Sequence, residues 1–238
     1  LSNEVATIVL PTGTGKTETM LVATLADKAT RTLVIVPSIE LKNQIADKYA
    51  TWGILRKLGV VTKETLNPSV LILNKTLESD ENIEDIKSAD IIISTPAFFA
   101  RTTSEIQLKI KDIFSHVFFD EAHHIKANEW SYIKQLFKNS KIVQFTATPY
   151  RNDKKPIEGK IVYNYPLTKA LEDKCFSKIS LVTVNERHPG KKDKAIADAA
   201  MERLLDDRKK GFTRHRMMVR TDERSHAEIL LKKYEEWF

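Results

Sequence analysis

The sequence contains a single cysteine, Cys175. One cysteine excludes an intramolecular disulfide and any zinc site built from several cysteines. The sequence also lacks an apolar run long enough to span a bilayer, and no secretory signal pattern follows Leu1. These absences argue against the secreted and membrane-spanning classes of protein, so we expect a cytoplasmic protein with no membrane partner.

Charge and composition allow several classes of partner. The 238 residues carry a formal net charge of +6, which suits a polyanion such as nucleic acid. An ordinary basic surface would give the same value. With 42% hydrophobic and 29% charged residues, the chain can bury an ordinary core. Its length allows one large α/β domain with part of another, or two small domains.

The segment from Pro11 to Thr17 reads Pro-Thr-Gly-Thr-Gly-Lys-Thr and lies between an apolar run and a helix-compatible run. A strand, a glycine-containing loop and a helix start in this order form a phosphate-binding P-loop, whose N–H groups point at an anion. Lys16 is expected to reach the β- and γ-phosphates of ATP, and the Thr17 hydroxyl to ligate Mg²⁺. The strict pattern has a glycine where this chain has Leu10. The predicted nucleotide-binding residues are Thr12, Gly13, Thr14, Gly15, Lys16 and Thr17.

A second apolar run ends in two adjacent carboxylates, Asp120 and Glu121. Ligands of open α/β sheets bind at the carboxyl ends of the strands, where this run delivers its charge. We expect Asp120 to hold Mg²⁺ through water and Glu121 to polarise the attacking water. An acidic strand end that leads into a turn is common, but after a P-loop it indicates ATP hydrolysis. The predicted catalytic residues are Lys16, Asp120 and Glu121.

Together, these and three further segments resemble the ordered motifs of superfamily 2 helicases and translocases with an Asp-Glu-Ala-His box. The segments are Pro11–Thr17 (motif I), Val36–Ser38 with Leu41 and Gln44 (motif Ia), Ser94–Pro96 (motif Ib), Asp120–His123 (motif II) and Thr146–Pro149 (motif III, with Thr for the commoner leading Ser). The amino-acid sequences around motifs II and III are most similar to those of motor subunits of type I and type III restriction enzymes. The resemblance implies an ATP-driven motor that acts on nucleic acid, with DNA favoured over RNA.

The resemblance also implies a coupling role for residues beyond the ATP site. His123 is expected to contact motif III, and Thr146 and Thr148 to relay the state of the ATP site to the nucleic-acid track. Both threonines are also compatible with a simple turn after a buried strand. Two adjacent histidines, His123 and His124, do not predict a metal site, because no third ligand stands at a suitable spacing.

Two hydroxyl-bearing segments follow apolar strands and are candidates for contacts with a nucleic-acid backbone. Ser38 suits a helix N-cap, and the same geometry of hydroxyls and exposed N–H groups binds phosphates. Such contacts position a strand without reading its base sequence. The predicted nucleic-acid contacts are Pro37, Ser38, Ser94, Thr95 and Arg101.

Short apolar runs alternate with amphipathic segments, which predicts an α/β fold with a parallel sheet flanked by helices. Strands are expected at Ala6–Leu10, Thr32–Val36, Val70–Leu73, Ile91–Ser94, His116–Asp120 and Lys141–Phe145. Helices are expected at Lys16–Ala29, at Ile39–Tyr49 and from Ser104, which forms a capping box with Gln107. Residues 1–156 are thus predicted to form a RecA-like ATP-binding domain.

Residues 157–238 are predicted to be a linker and the start of a second RecA-like domain. Strands are expected at Lys160–Tyr163, Ile179–Val184 and Arg216–Arg220, and helices at Thr168–Asp173, Lys194–Asp207 and Thr221–Trp237. The resemblance implies that family members continue through motifs V and VI and their arginine finger, which this sequence does not contain. We therefore expect a part of a larger motor, with further domains or subunits, that hydrolyses ATP poorly alone.

Three functions are compatible with these patterns. The leading hypothesis is an ATP-dependent DNA helicase or translocase of the restriction or repair type. An RNA helicase or RNA-sensing ATPase is the second, because these motifs grip phosphates and do not distinguish the sugar. The third is a nucleotide-gated nucleic-acid-binding module without productive turnover, against which the intact Lys16 and Glu121 argue.

Overall fold

The computed structural model describes residues 4–74, 80–150, 155–176 and 181–238. The chain divides into two compact units, Leu1–Ser177 and Lys178–Phe238. Among the helices of the described ranges, none combines the length and the apolar character needed to cross a bilayer.

The first unit is built on a seven-stranded parallel sheet. Its strands are β1 (Ala6–Val9), β2 (Thr32–Ile35), β3 (Val70–Ile72), β4 (Ile91–Ser94), β5 (His116–Phe119), β6 (Lys141–Thr146) and β7 (Lys160–Asn164). They lie in the order β3-β4-β2-β5-β6-β1-β7, and every neighbouring pair is parallel. The predicted α/β fold class is confirmed, and the six strands expected before residue 156 are present with ends shifted by at most one residue.

Helices cover both faces of this sheet, as parallel strands require. They are α1 (Lys16–Ala26), α2 (Ile39–Ala50), α3 (Gly53–Lys57), α4 (Asp80–Ser88), α5 (Pro96–Arg101), α6 (Ser104–Ile110), α7 (Ala127–Leu136) and α8 (Leu167–Glu172), with a 3₁₀ helix at Ala122–His124. Successive residues of β5 point to opposite faces. Phe118 packs with Met20 and Phe145 in one buried cluster, whereas Phe119 packs with Trp130 in the other. The sheet is therefore buried on both sides.

The capping box predicted at Ser104 is wrong by one residue. The N-cap of α6 is Thr103, whose Oγ1 accepts a hydrogen bond from the Ile106 N–H at 3.4 Å. The Gln107 side-chain amide instead donates to two carbonyls of the preceding turn, those of Phe99 and Thr102. Both residues are capable caps, and Thr103 is the one with the extended N-cap backbone conformation, at φ −64° and ψ 154°.

Strand β7 extends the first unit beyond the boundary predicted after Pro156. It pairs with β1 along its length and is preceded by Gly159, whose φ is +112°. A Cβ atom at this glycine would lie 2.8 Å from the Val5 carbonyl oxygen. Strand β7 belongs to the first unit because it pairs with β1, which would otherwise present an unpaired edge. The first unit ends at Ser177.

The second unit contains α9 (Lys192–Lys209) and α10 (Arg224–Trp237), with a 3₁₀ helix at Pro189–Lys191. The strand predicted at Arg216–Arg220 is wrong: this segment is irregular, and Met218 is 92% exposed. Residues 181–184 of the strand predicted at Ile179–Val184 are also irregular, and the remainder lies outside the described residues. A strand needs a neighbouring strand to form hydrogen bonds with its backbone N–H and C=O groups. The described residues 181–238 contain no strand. That this unit begins a RecA-like domain stays a prediction.

Candidate active site

The loop between β1 and α1 forms an anion-binding cradle. Gly13 and Gly15 adopt left-handed conformations, with φ of +85° and +99°, which a side chain would strain. Gly15 is also the N-cap of α1, and no side chain caps the first turn. The Thr14 hydroxyl donates to the Pro11 carbonyl at 2.7 Å, which tightens the turn. The N–H groups at the positive end of the helix suit a phosphate.

Lys16 joins the two predicted halves of the ATP site. Its side chain is only 8% exposed, and its Nζ lies 3.0 Å from Glu121 Oε1. The ammonium also donates to the Leu10 carbonyl at 3.3 Å. Sheet order explains this meeting, because β6 lies between β5 and β1 and places the ends of all three strands together.

Asp120 is a buried carboxylate that lacks a full set of partners. It is 6% exposed, and its Oδ1 has no hydrogen-bond partner among the described residues. Glu121 Oε2 is likewise without one. Burial, followed by the neighbouring Glu121 charge, raises the pKa of Asp120 to about 6. An unpartnered buried anion is costly, and a divalent cation would relieve that cost.

The predicted magnesium ligands fit such an ion. Thr17, in the first turn of α1, lines the same cavity as Asp120. No cluster of three or more His, Cys, Asp or Glu side chains suited to a metal occurs in the described part of the chain. The Thr17 hydroxyl and the Asp120 carboxylate would hold such a cation, and oxygen ligands of this kind are those that Mg²⁺ prefers.

These groups surround a cavity of about 660 Å³, which is large enough for a nucleotide. It is lined by all six predicted nucleotide-binding residues, both carboxylates, Glu18, Leu41, Gln44, Ile45, Lys48, Ile54 and Cys175. Sequence reasoning did not assign Lys48 or Cys175 to this site. Lys48 forms an ion pair at 2.8 Å with Glu18, which also lines the cavity. Neither Lys48 nor Cys175 belongs to a recognisable motif.

His123 makes the contact with motif III that the sequence predicted. Its Nδ1 lies 2.9 Å from Thr146 Oγ1 and 3.4 Å from Glu121 Oε2. Thr146 Oγ1 donates in turn to the Thr148 carbonyl at 2.7 Å. Burial, then the adjacent His124, lowers the pKa of His123. A continuous polar path therefore runs from Glu121 to Thr148.

A second cavity of about 370 Å³ lies at the same edge of the sheet, beyond β2, β4 and β5. Four of the predicted nucleic-acid contacts line it, namely Pro37, Ser38, Thr95 and Arg101. The fifth, Ser94, is corrected: it is fully buried within β4, and its hydroxyl lies 3.5 Å from the Thr95 carbonyl. The first residue after the strand, Thr95, reaches the cavity in its place.

Sequence reasoning missed Lys42 in this second cavity. The side chain is 4% exposed, and its ammonium donates to the Leu73 carbonyl at 2.9 Å and to Asn74 Oδ1. Burial lowers the pKa of Lys42. The available signal was a lysine on the otherwise apolar face of α2, between Leu41 and Ile45.

A family model described as "Type III restriction enzyme, res subunit" matches residues 2–151. The chain belongs to this res-subunit family. The matched range includes all five motif segments, so the prediction of a superfamily 2 helicase family is confirmed at this level. The family match covers the sheet through β6, the second cavity and every lining residue of the first cavity except Cys175.

Two curated proteins of Sulfurisphaera tokodaii are similar to this res-subunit family member. "DNA 3'-5' translocase XPB2" is 30% identical over 165 residues, which cover 66% of this chain and 31% of that protein. "Reverse gyrase 1" is 28% identical over 154 residues, which cover 64% of this chain and 12% of that protein. The chain thus spans a third or less of the length of these relatives.

Among solved structures, the Pyrococcus furiosus Hef helicase domain is similar with a TM-score of 0.46 and 25% identity, over 64% of this chain and 32% of that chain. The UvsW helicase of bacteriophage T4 is similar with a TM-score of 0.48 and 16% identity, over 68% and 55% of the two chains.

Proposed function

We propose that this chain carries the ATP-binding part of a superfamily 2 nucleic-acid motor with an Asp-Glu-Ala-His box. The observation that carries the proposal is the meeting of Lys16 with Glu121 beside the unpartnered Asp120 oxygen. All three line one cavity with the phosphate-binding loop. The ligands are ATP and Mg²⁺, and the reaction is hydrolysis of the γ-phosphate.

Each residue of the cavity has a distinct part in that reaction. The loop N–H groups bind the phosphate chain, and Lys16 exchanges part of its contact with Glu121 for phosphate oxygens. Glu121 then orients the attacking water and accepts its proton on Oε2, which has no hydrogen-bond partner among the described residues. Asp120 and Thr17 would hold Mg²⁺, which supplies charge stabilisation at the phosphates when bound.

The path from Glu121 through His123 to Thr146 is the proposed coupling element. When ATP is hydrolysed, Glu121 changes its charge and its contacts. The environment of the neighbouring His123 imidazole changes with it. The Thr146 hydroxyl contacts His123 and also donates a hydrogen bond to the Thr148 carbonyl. That change is therefore passed to the loop after β6. Such a two-state hydrogen-bond element is what relays a nucleotide state to a second site.

The second cavity is the proposed place of the nucleic-acid backbone. Ser38 and Thr95 present hydroxyls there, and Arg101 and Lys126 present positive charge. DNA is the preferred substrate, because the similar protein of Sulfurisphaera tokodaii is named a DNA translocase. Other domains or subunits of a larger motor remain proposed partners.

Nucleotide binding is tested by thermal unfolding with Mg²⁺ and ADP. At a ligand concentration of about 100 Kd, binding should stabilise the protein by about 2.7 kcal/mol. Lys16→Ala should abolish this shift, whereas Lys57→Ala, on the exposed side of α3, should retain it. An unchanged shift in Lys16→Ala would refute the phosphate-site assignment.

Matched single strands of DNA and RNA separate the remaining alternatives. The proposal predicts ATP turnover that DNA stimulates, with binding that weakens steeply as salt increases because phosphate contacts dominate. Stimulation by RNA alone would establish the RNA-acting alternative. Binding of both ligands without turnover in the full-length protein would establish a nucleotide-gated binding module.

A further inference from the structure

The segment after β7 returns to the phosphate-binding loop. The Tyr165 N–H donates to the Val9 carbonyl at 2.9 Å, so the chain leaves the sheet beside the end of β1. After α8, Lys174 adopts a left-handed conformation with φ of +59°. The Cys175 N–H then donates to the Ala170 carbonyl at 2.9 Å. This turn reverses the chain and directs it to the nucleotide cavity.

Side-chain contacts hold the same turn in place. The Tyr165 hydroxyl donates to Asp173 Oδ2 at 2.8 Å and lies 3.5 Å from Cys175 Sγ. Lys169 pairs with Asp173 at 3.1 Å, one helical turn away. Each bond is weak because it is exposed, but together they link Tyr165, Lys169, Asp173 and Cys175 within the turn.

One residue of the turn lines the nucleotide cavity, and the next residue lies close to the phosphate-binding loop. Cys175 lines that cavity directly. Phe176 lies over the tip of the loop, since a Cβ atom placed on Gly13 would be 3.5 Å from Phe176 Cε1. The ring therefore occupies the space next to Gly13, at van der Waals distance from where a side chain on this glycine would begin.

We propose that Cys175 and Phe176 form the outer wall of the phosphate-binding cavity, and that Phe176 is a positioning residue for a bound nucleoside di- or triphosphate. This inference rests on the proposed function, because it concerns the same nucleotide site. Gly13 loses much conformational freedom when its N–H must face a phosphate. The ring of Phe176 restricts the loop before the ligand arrives, which lowers the entropic cost of binding.

The unique cysteine provides a direct readout of this geometry. Alkylation of Cys175 by iodoacetamide, followed by mass spectrometry of the intact protein, needs no engineered label because the chain has one thiol. Mg²⁺ with ADP should slow the modification severalfold. In Lys16→Ala, the same nucleotide concentration should give no protection, which separates occupancy of the cavity from non-specific effects of the nucleotide.

Substitution of the ring tests the positioning role. Phe176→Ala should weaken ADP binding by about tenfold. Without the ring, the loop has more conformational freedom to lose when the nucleotide binds. Phe176→Leu keeps apolar bulk over Gly13 and should bind nearly as tightly as the parent. Phe212→Ala, which removes a half-exposed phenylalanine of the second unit, is the matched control and should bind as the parent does.

The outcomes separate this inference from the function on which it rests. If the parent protein fails to bind ADP, the nucleotide site itself is wrong. If the parent binds ADP but Cys175 is alkylated equally fast with and without it, the outer-wall assignment is overturned. If Cys175 is protected but Phe176→Ala binds ADP as the parent does, Phe176 has no positioning role. Unfolding of each variant without nucleotide shows that a lost affinity is not a lost fold.

Discussion

Asp120 and Asp27 lie at opposite edges of one sheet and have opposite environments. At the carboxyl edge, Asp120 is buried with an unpartnered oxygen, and its pKa is raised to about 6. At the amino edge, Asp27 accepts hydrogen bonds from His116 and Lys141, each at 2.7 Å. Those two bonds lower the pKa of Asp27 to about 2. The charge of Asp27 is thus satisfied by the protein itself, whereas Asp120 keeps an oxygen without a partner among the described residues.

The comparison separates charge that serves stability from charge that serves function. His116 and Lys141 begin β5 and β6, so their contact with Asp27 fastens the end of α1 to the sheet. At the carboxyl edge, Asp120 Oδ1 and Glu121 Oε2 each lack a hydrogen-bond partner among the described residues. An unsatisfied buried carboxylate costs stability, and such groups gather where a ligand completes them.

The largest effect should follow a change at the carboxyl edge. Glu121→Gln preserves the shape of the side chain and removes the proton acceptor, so ATP turnover of the full-length protein should fall by about 10²–10⁴-fold. ADP binding and thermal stability should stay close to those of the parent. Steady-state ATPase assays and thermal shifts measure the two properties. Glu105→Gln on exposed α6 is the control, and equal losses in both variants would contradict the assigned role.

At the amino edge, the largest effect should be on stability alone. Gly159→Ala places a Cβ atom 2.8 Å from the Val5 carbonyl oxygen at a left-handed φ, and should destabilise the first unit by about 1–3 kcal/mol. Gly190→Ala, whose Cβ would meet nothing within 4 Å, should be nearly neutral. Chemical denaturation measures both, and a parent-like Gly159→Ala would show that β7 shifts freely.

Neutralising Asp120 should raise stability while it removes function. Its pKa is higher in the folded protein than in the unfolded chain, so its ionisation destabilises the fold as pH rises between about 4 and about 6. Asp120→Asn should therefore gain about 1 kcal/mol at neutral pH, with little gain below pH about 4. Binding of Mg²⁺ with ADP should weaken. A loss of stability at neutral pH would contradict the assignment of Asp120 as an uncompensated charge.

The smallest effect is expected at Asp27, which is half exposed. Its pKa is lowered in the folded protein, so its contribution is present above its unfolded pKa and is lost as pH falls toward about 2. Asp27→Asn should lower the thermal midpoint slightly at neutral pH and leave ADP binding unchanged. Asp47→Asn, on the exposed face of α2, is the comparison. A change in nucleotide affinity would mean that the two edges are coupled.

Local patterns predicted much of the first unit and of its ATP site. The strand His116–Phe119 and the helix that begins at Lys16 follow from apolar runs and from a glycine loop, whose preferences act over a few residues. The contact of His123 with Thr146 was expected from motif resemblance. Local pattern failed at Arg216–Arg220, because an apolar run becomes a strand only where another strand accepts its hydrogen bonds.

The amino-acid sequence alone determined which residues form the glycine loop before α1 and which carboxylates follow a buried strand, because glycine conformation and side-chain alternation are local properties. Tertiary structure alone decided that β7 joins β1, that Ser94 is buried and that Phe176 lies over Gly13. These contacts join residues far apart in the chain. Their geometry depends on the order of the strands in the sheet, which no single segment specifies.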